Sequence, residues 1–333
     1  MKLALLSGAH VHTRGYLQTI RERDDLELAV VWDDMAERGR EIAESMGCPY
    51  EPDLAAALAV PGLDVAAICA DNASHRPLVE AAAAAGLDIF CEKPLALTVA
   101  DADAMLAAVR GAGVKCVIGF FQPYPGAARA ARKFIAEGGL GDLTSISYRN
   151  AHHAAYGHWF DSPSHAWFAD KAKAGGGAFC DMGAHAMHFV RLFFGPVTSV
   201  SAEISNKCGV YPDVDDHGVA LLSFADGATG ILVASWVHTA GPGGLEVIGS
   251  KGRLRLQGDN CMVSPFVDGK HGETYALEPL AGEPSHLQRL IDLRDGKLDA
   301  AEADYDLLCA RDAVAISVAA YESSETGRRV AVR

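Results

Sequence analysis

Lys93, Asp181 and His185 are the residues of this chain whose types and spacing best suit proton transfer. Lys93 lies in a Glu-Lys-Pro sequence, where the proline restricts the backbone and holds the ammonium group in place. Asp181 and His185 follow three consecutive glycines and are four residues apart, so they would share one face of a helix. An ammonium group, a carboxylate and an imidazole together can move a proton to and from a hydroxyl group. A plainer interpretation makes Asp181 a helix cap and His185 a core residue.

Five short apolar runs alternate with amphipathic segments in the first third of the chain. The runs cover residues 2–7, 27–32, 64–69, 88–91 and 115–119, and helices are predicted near 14–22, 34–46, 75–85 and 98–112. Near-continuous apolar strands separated by helices predict a parallel sheet covered on both faces, with doubly wound topology. Lys93 follows the fourth run and would point into the crevice where such sheets bind ligands. We predict a dinucleotide-binding domain over residues 1–120.

The pattern changes after residue 120. Helices are predicted near 125–137, 181–194 and 299–322, and strands near 142–150, 197–206, 217–225, 228–237, 244–249 and 252–257. Short strands separated by turn signals are typical of an antiparallel sheet. The predicted fold class is therefore α/β: an N-terminal Rossmann-type doubly wound sheet, then an α+β domain with a large open, mostly antiparallel sheet. We expect residues 121–300 to bind substrate and to form oligomer contacts, and residues 301–333 to pack back near the first domain.

Composition limits the classes of partner. The chain has 333 residues and a formal net charge of −14, which argues against binding to nucleic acid or to an anionic membrane surface. No apolar run reaches the roughly 18 residues that would span a bilayer. The eight cysteines are scattered singly, without a disulfide-like or Cys-x-x-Cys spacing. They are typical of reduced, buried thiols, so we expect a cytoplasmic protein.

The turn after the first strand departs from the usual dinucleotide fingerprint. That fingerprint is Gly-x-Gly-x-x-Gly, and here only Gly8 fits, because His10 and Thr13 occupy the other two glycine positions. One interpretation is a modified phosphate-binding turn whose amides, at a helix N-terminus, still face a pyrophosphate. The other is a dinucleotide site that has decayed. We favour the modified turn.

Asp33 ends the second strand, about twenty residues beyond the turn. An acid at this place hydrogen-bonds the adenosine ribose and repels a 2′-phosphate, so Asp33 favours NAD over NADP. Asp34 better suits the N-cap of the following helix. Arg38 and Arg40 are near enough to leave NADP possible.

Several motifs occur in an order that resembles one family. They are the segments 71–75, 85–86, 91–94, 138–142, 175–185 and 319–327. By these motifs the chain resembles the glucose–fructose oxidoreductase and inositol 2-dehydrogenase family, Gfo/Idh/MocA, over nearly its whole length. The resemblance implies NAD or NADP as cofactor and hydride chemistry on sugars, cyclitols or related polyols. It also places Asn72 and His75 near the nicotinamide half of the cofactor.

The predicted site has a cofactor part and a substrate part. The cofactor-binding candidates are Gly8, His10, Val11, His12, Asp33, Asn72, His75, Glu92 and Lys93. The substrate-binding candidates are His152, His153, Tyr156, His158, Trp159, Trp167, Lys171, Lys173 and His188. Aromatic faces suit the C–H groups of a sugar ring, and polar tips suit its hydroxyls. His185 and His188 are spaced so that they could share a metal, but no compact ligand signature is present, and we expect none.

We therefore predict an NAD(P)-dependent oxidoreductase that acts on the CH–OH group of a sugar, cyclitol or polyol. His185 would accept the hydroxyl proton, Lys93 would hydrogen-bond the same oxygen, and Asp181 would orient His185 or bind a neighbouring hydroxyl. One alternative is a glycoside-cleaving or eliminating enzyme in which tightly bound NAD oxidises the substrate transiently. A second alternative is a non-catalytic sensor of dinucleotide or sugar. The apolar strands of the second domain also predict a homodimer or homotetramer.

Overall fold

The computed structural model of the chain describes residues 1–241, 243–284 and 286–333. These residues form two compact units. Unit 1 contains Met1–Gly119, Trp159–Gly175 and His286–Arg311, and unit 2 contains Phe120–His158, Gly176–Ser285 and Asp312–Arg333. The predicted bounds of 1–120, 121–300 and 301–333 thus differ from this division at residues 120, 159–175, 286–300 and 312–333. As domain bounds they stay a prediction.

Unit 1 is built on a five-stranded parallel sheet. Its strands are β1 (Lys2–Leu6), β2 (Glu27–Trp32), β3 (Val65–Ile68), β4 (Asp88–Cys91) and β5 (Cys116–Ile118), in the order β2-β1-β3-β4-β5. Its first five helices are α1 (Thr13–Arg21), α2 (Ala36–Met46), α3 (Leu54–Leu58), α4 (His75–Ala84) and α5 (Val99–Ala112). The strand order reverses beside β1, and a ligand crevice lies at such a switch point, beyond the carboxyl ends of the strands.

The burial of these strands explains why they form a covered parallel sheet. All four residues of β3 are buried, and so are all but the first residue of β1 and of β4. Helix boundaries follow local chemistry: Thr98 accepts a hydrogen bond from the Asp101 amide at the start of α5, and Gly113 ends that helix in the left-handed region at φ 67°. The predicted doubly wound parallel sheet is confirmed.

Unit 2 is built on a ten-stranded sheet. Its strands are β6 (Leu143–Ala151), β7 (Val197–Ser205), β8 (His217–Phe224), β9 (Thr229–Ser235), β10 (Gly243–Gly249), β11 (Gly252–Gln257), β12 (Asn260–Val267), β13 (Lys270–His271), β14 (Tyr275–Ala276) and β15 (Val330–Ala331). The order is β13-β12-β11-β10-β6-β9-β8-β7-β15, with β14 beside β12. β6 and β9 run parallel, and the other strand pairs of the described residues are antiparallel. The predicted large, mostly antiparallel sheet is confirmed.

The remaining helices are α6 (Gly126–Ala136), α7 (Lys171–Ala174), α8 (Ala178–Phe194), α9 (His286–Arg294) and α10 (Ala300–Thr326). α8 packs on β6, β8 and β9 and covers one face of the large sheet. Its N-terminus is capped from outside the helix, because Asp215 accepts hydrogen bonds from the amides of Gly177 (2.8 Å) and Phe179 (2.7 Å). In the described part of the chain, no helix combines the length and apolar composition needed to cross a membrane.

Some elements were not predicted from the sequence. They are α3, α7, α9, β12, β13 and β14. α9 contributes Leu287, Leu290 and Ile291 to the core of unit 1, although it lies far along the chain from the sheet it covers. Its distance along the chain from the strands of that sheet leaves no local pattern that shows the packing, and this is why its place in the core was missed.

Candidate active site

The turn between β1 and α1 carries His10 and Thr13 where the dinucleotide fingerprint has glycine. The backbone still forms a tight turn: the His10 amide donates to the Cys69 carbonyl at 2.9 Å, and the Thr13 amide donates to the His10 carbonyl at 3.0 Å. The His10 side chain is buried and points inward, whereas Val11 is exposed. The turn therefore keeps a backbone path that leads into the N-terminus of α1, where an anion is favoured.

Glu92 is the fixed point beneath this turn. Its side chain is 0% exposed. It accepts hydrogen bonds from the Tyr16 hydroxyl, from His12 Nδ1 at 3.2 Å and from the Lys93 amide at 3.0 Å. His10 Nε2 lies 3.5 Å from the carboxylate. Burial by itself would raise the pKa of Glu92, but His10, His12 and Lys93 outweigh burial and hold that pKa well below its ordinary value. Glu92 is thus a buried carboxylate whose donors come from the turn, from α1 and from its own strand end.

The same three side chains have the types of a metal-ligand set. The candidate ligand atoms of His10, His12 and Glu92 lie within 4.8 Å of one another. However, His10 Nδ1 accepts a hydrogen bond from the His12 amide at 3.3 Å, so the proton of the neutral ring lies on Nε2, which faces Glu92. A metal-bound imidazole has the opposite arrangement, with its second nitrogen donating. The geometry therefore favours a hydrogen-bonded carboxylate at this place.

Lys93 follows β4 directly and is almost fully buried. The next residue is anchored by His75, whose Nδ1 donates to the Pro94 carbonyl at 2.9 Å. Complete burial lowers the pKa of His75. Asn72, also buried, donates from Nδ2 to the Ala174 carbonyl at 2.9 Å. Of the two predicted cofactor residues, His75 thus binds the backbone next to Lys93, and Asn72 binds the backbone just before the glycine run.

Residues 159–175 belong to unit 1, and the sequence had placed them in the substrate half. Trp167 is buried and donates from Nε1 to the Ala9 carbonyl at 3.0 Å, directly on the turn after β1. Lys173 and Trp167 line a cavity of about 310 Å³ together with Asp34 and Arg38. Lys171 and Trp159, also predicted to bind substrate, are exposed. The predicted contacts of Trp167 and Lys173 with substrate stay a prediction, and the structure puts both residues beside the dinucleotide turn.

Asp181 and His185 lie on α8 in unit 2. Trp236, which is fully buried, donates from Nε1 to Asp181 Oδ2 at 3.0 Å. His185 is buried, with the rings of Phe120 and Phe121 edge-on at 5.8 and 5.0 Å between centroids. The capping role that Asp181 could have taken is performed by Asp215. Asp181 thus has a defined orientation on the first turn of the helix.

The other predicted substrate residues of unit 2 differ in exposure. His188 is fully buried, and its ring stacks on Phe120 with centroids 3.9 Å apart. His152 is partly buried, and its Nδ1 accepts from the Ala154 amide at 3.2 Å. His153, Tyr156 and His158 are exposed. Substrate contact by these residues stays a prediction, and His188 has the surroundings of a core residue.

A chain of side-chain amides near α8 was missed by the sequence interpretation. Tyr148 donates to Gln122 Oε1 at 2.7 Å, Gln122 donates to Asn150 Oδ1 at 3.0 Å, and Asn150 donates to the Met182 carbonyl at 2.8 Å. Trp236 and Asp215 were missed in the same way. These residues lie in no motif and are far apart in sequence, so spacing carries no signal for them.

Comparison with known proteins identifies the family. Residues 5–120 match the oxidoreductase family with an NAD-binding Rossmann fold, and residues 128–255 match the GFO/IDH/MocA C-terminal domain. D-apiose dehydrogenase of Paraburkholderia graminis is 30% identical over 284 residues, which are 83% of this chain and 73% of that protein. The chain belongs to the GFO/IDH/MocA family of oxidoreductases, and its N-terminal domain is an NAD-binding Rossmann domain.

Further relatives agree with this assignment. Inositol 2-dehydrogenase of Rhizobium meliloti is 28% identical over 83% of this chain and 80% of that protein. The aldose-aldose oxidoreductase of Caulobacter crescentus, solved with glycerol, has a TM-score of 0.80 at 25% identity and covers 99% of both chains. GenD2 of gentamicin A biosynthesis, solved with NAD, has a TM-score of 0.78 at 27% identity, covering 100% of this chain and 96% of that one. The predicted family and NAD cofactor are confirmed.

Replacing Glu92 by Gln should destabilise the protein in a pH-dependent way. Loss of the buried charge should lower the free energy of unfolding by about 3 kcal/mol near neutral pH. Because the folded-state pKa of Glu92 lies below its ordinary value of 4.5, its contribution is present above that value and is lost as pH falls through the folded-state pKa. The difference in the free energy of unfolding between variant and wild type should therefore become smaller at acidic pH.

Urea unfolding at neutral and at acidic pH measures this difference. Glu41→Gln, an exposed carboxylate of unit 1, is the matched control and should change stability by no more than about 0.5 kcal/mol. A loss for Glu92→Gln that is equally large at both pH values, or no loss at all, would contradict the role assigned to this carboxylate.

Proposed function

We propose that this chain is an NAD-dependent dehydrogenase acting on a secondary alcohol of a sugar, cyclitol or related polyol. The names of its relatives support this proposal, since they include D-apiose dehydrogenase and inositol 2-dehydrogenase. The observation that carries it is the position of Lys93 just beyond the carboxyl end of β4. Its amide donates to the buried Glu92, and His75 holds the carbonyl of the next residue, Pro94. A lysine whose backbone is fixed at that edge can extend its ammonium group toward the ligand crevice.

Each catalytic candidate has a role in the proposal. His185 accepts the proton of the substrate hydroxyl, and Lys93 donates a hydrogen bond to the same oxygen while negative charge develops there. Asp181, oriented by the Trp236 indole, holds His185 or a neighbouring hydroxyl. When bound, NAD supplies the hydride acceptor. In the reverse direction the same side chains return the proton to a ketone.

A substrate screen tests the proposal directly. The purified protein is mixed with NAD and a panel of aldoses, anhydrosugars and inositols, and the absorbance of NADH is followed. Net NADH formation with a member of this panel is the expected result. Turnover of a glycoside without net NADH would indicate transient oxidation instead, and binding of NAD and sugar without any turnover would indicate a sensor.

Substitution of Lys93 and His185 separates catalysis from structure. Lys93→Met and His185→Ala should each slow single-turnover hydride transfer by about 10²–10⁴-fold while NAD still binds. Their combined effect should be less than the product of the two, because both act on one transition state. The oxidation rate of the wild type should rise with pH as the base loses its proton.

The exposed Lys270→Met is the control and should transfer hydride at the wild-type rate. Rates within a few-fold of wild type in both active-site variants, with a lowered melting temperature, would mean that Lys93 and His185 are structural residues.

We also infer that the protein is a cytoplasmic homo-oligomer. All eight cysteines are free, as expected in a reducing compartment. The face of the large sheet away from α8 exposes Leu221 (57%) and Ile231 (43%), which are cross-strand partners on β8 and β9. Ile248 on β10 is exposed on the same face. Such an apolar face is usually covered by a partner, and a second copy would give a dimer or tetramer.

Charges placed on this face should dissociate the oligomer. Leu221→Lys combined with Ile231→Lys would bury two unpaired ammonium groups, so light scattering at micromolar concentration should report monomers. Val318→Lys, an exposed apolar residue of α10 outside the sheet, should leave the oligomer intact. A monomeric wild-type protein would refute the idea.

A further inference from the structure

Two consecutive acids, Asp33 and Asp34, follow β2 at the place where a Rossmann domain meets the adenosine ribose. Spacing from the first strand favours Asp33 as the ribose acid. The structure gives the two carboxylates very different surroundings: the Asp33 side chain is 0% exposed, and that of Asp34 is 49% exposed. Their roles therefore have to be decided from their contacts.

Both oxygens of Asp33 are fully engaged inside the protein. Oδ2 accepts from the Gly8 amide at 2.8 Å and from Arg38 Nε at 2.9 Å. Oδ1 accepts from the Met35 amide at 2.8 Å and from Arg38 Nη2 at 2.6 Å. A carboxylate has about four acceptor positions, so this arrangement uses all of them. Ribose hydroxyls would have to displace Arg38 or the Gly8 amide.

These contacts define Asp33 as a clamp on the phosphate turn. It ties Gly8, at the end of β1, to α2 through a two-bond guanidinium pair, which is the strongest geometry for such a contact. Burial raises the pKa of Asp33, and Arg38 and the two amides act against that rise. Asp33 can therefore hold the phosphate turn in place without touching a ligand.

Asp34 has the opposite character. Its Oδ1 accepts from Arg38 Nη2 at 2.8 Å and from Ser7 Oγ at 3.3 Å. Within the described ranges, Asp34 Oδ2 accepts no hydrogen bond. The residue lines the cavity of about 310 Å³ beside the turn, a volume at the lower end of small-molecule sites.

The composition of the cavity suits the adenosine half of NAD. Ala9, Met35 and Trp167 give it an apolar wall for a base. Its charged lining consists of three carboxylates, Asp34, Asp71 and Asp170, and two cations, Arg38 and Lys173. Arg38 is already paired with both Asp33 and Asp34, so the cavity disfavours an added dianionic 2′-phosphate.

We propose that Asp34, and not Asp33, receives the 2′-hydroxyl of the adenosine ribose and excludes NADP. This assignment rests on the NAD binding of the family and deepens the proposed function, because it names the residue that selects the cofactor. Asp33 keeps the turn in place, and Arg38 shares its charge between the two acids. Removal of Asp34 would take one acceptor away from Arg38 Nη2 and would remove a negative charge that repels a 2′-phosphate.

Calorimetric titration with three dinucleotides tests the assignment without any need for turnover. The ligands are NAD, NADP and the NAD analogue that lacks the adenosine 2′-hydroxyl. The wild type should bind NAD about tenfold or more tightly than the deoxy analogue, as expected for a hydroxyl bonded to a charged acceptor. Asp34→Ala should bind NAD and the analogue equally, and its preference for NAD over NADP should fall by at least about tenfold.

Two further variants complete the test. Asp24→Ala, an exposed acid of unit 1, is the control and should keep both preferences. Asp33→Asn should lower the melting temperature, and any folded protein should still discriminate the 2′-hydroxyl. An Asp34→Ala protein that discriminates like wild type overturns the proposal, even if Asp33→Asn does not fold. Failure of the wild type to bind any dinucleotide would instead count against the proposed function.

Discussion

The buried carboxylate of Glu92 is the interaction on which the cofactor half of the site depends. It receives donors from the turn after β1, from Tyr16 on α1 and from the amide of Lys93, so one charged group ties three segments together. A carboxylate that is buried away from water is stable only when several hydrogen-bond donors surround it. Losing any one of these donors leaves the buried charge poorly compensated. The network explains how a turn that carries His10 and Thr13 in place of glycine keeps a defined shape. It also fixes the backbone from which Lys93 extends.

Much of the fold could be predicted because its signals are local. The apolar runs from 2–7 to 115–119 predicted a covered parallel sheet, and the position of Lys93 after the fourth run predicted the edge at which ligands bind. The glycine run before α8 likewise marked a helix that carries Asp181 and His185. These patterns follow from burial and from the helical period, and both can be recognised in consecutive residues. β13 and β14 have two residues each, which is too few for any period, and β12 contains Pro265, which weakens a strand signal; all three were missed.

The chemistry of the site was less accessible from sequence, because it depends on contacts between distant residues. Asp215 caps α8 from 36 residues away, and Trp236 orients Asp181 across 55 residues. The choice between Asp33 and Asp34 shows the same limit at short range. Spacing places both acids after β2, but only the direction of the Arg38 side chain shows that Asp33 faces inward. Sequence therefore located both acids and assigned Asp33 to the ribose and Asp34 to the helix N-cap, but the N-cap position of α2 is held by Met35.

We infer that the Glu92 network holds the turn in a defined shape without two of the glycines of the usual fingerprint. His10→Gly tests this most directly, because it restores the second fingerprint glycine and removes one contact of the carboxylate. The quantity to measure is the NAD dissociation constant of the folded variant by calorimetry, beside the wild type. We expect binding to be about tenfold weaker, since Glu92 loses a neighbouring imidazole and the turn loses the hydrogen bond between His10 Nδ1 and the His12 amide. Equal or tighter binding would contradict it and would mean that His10 merely occupies a position where glycine serves better.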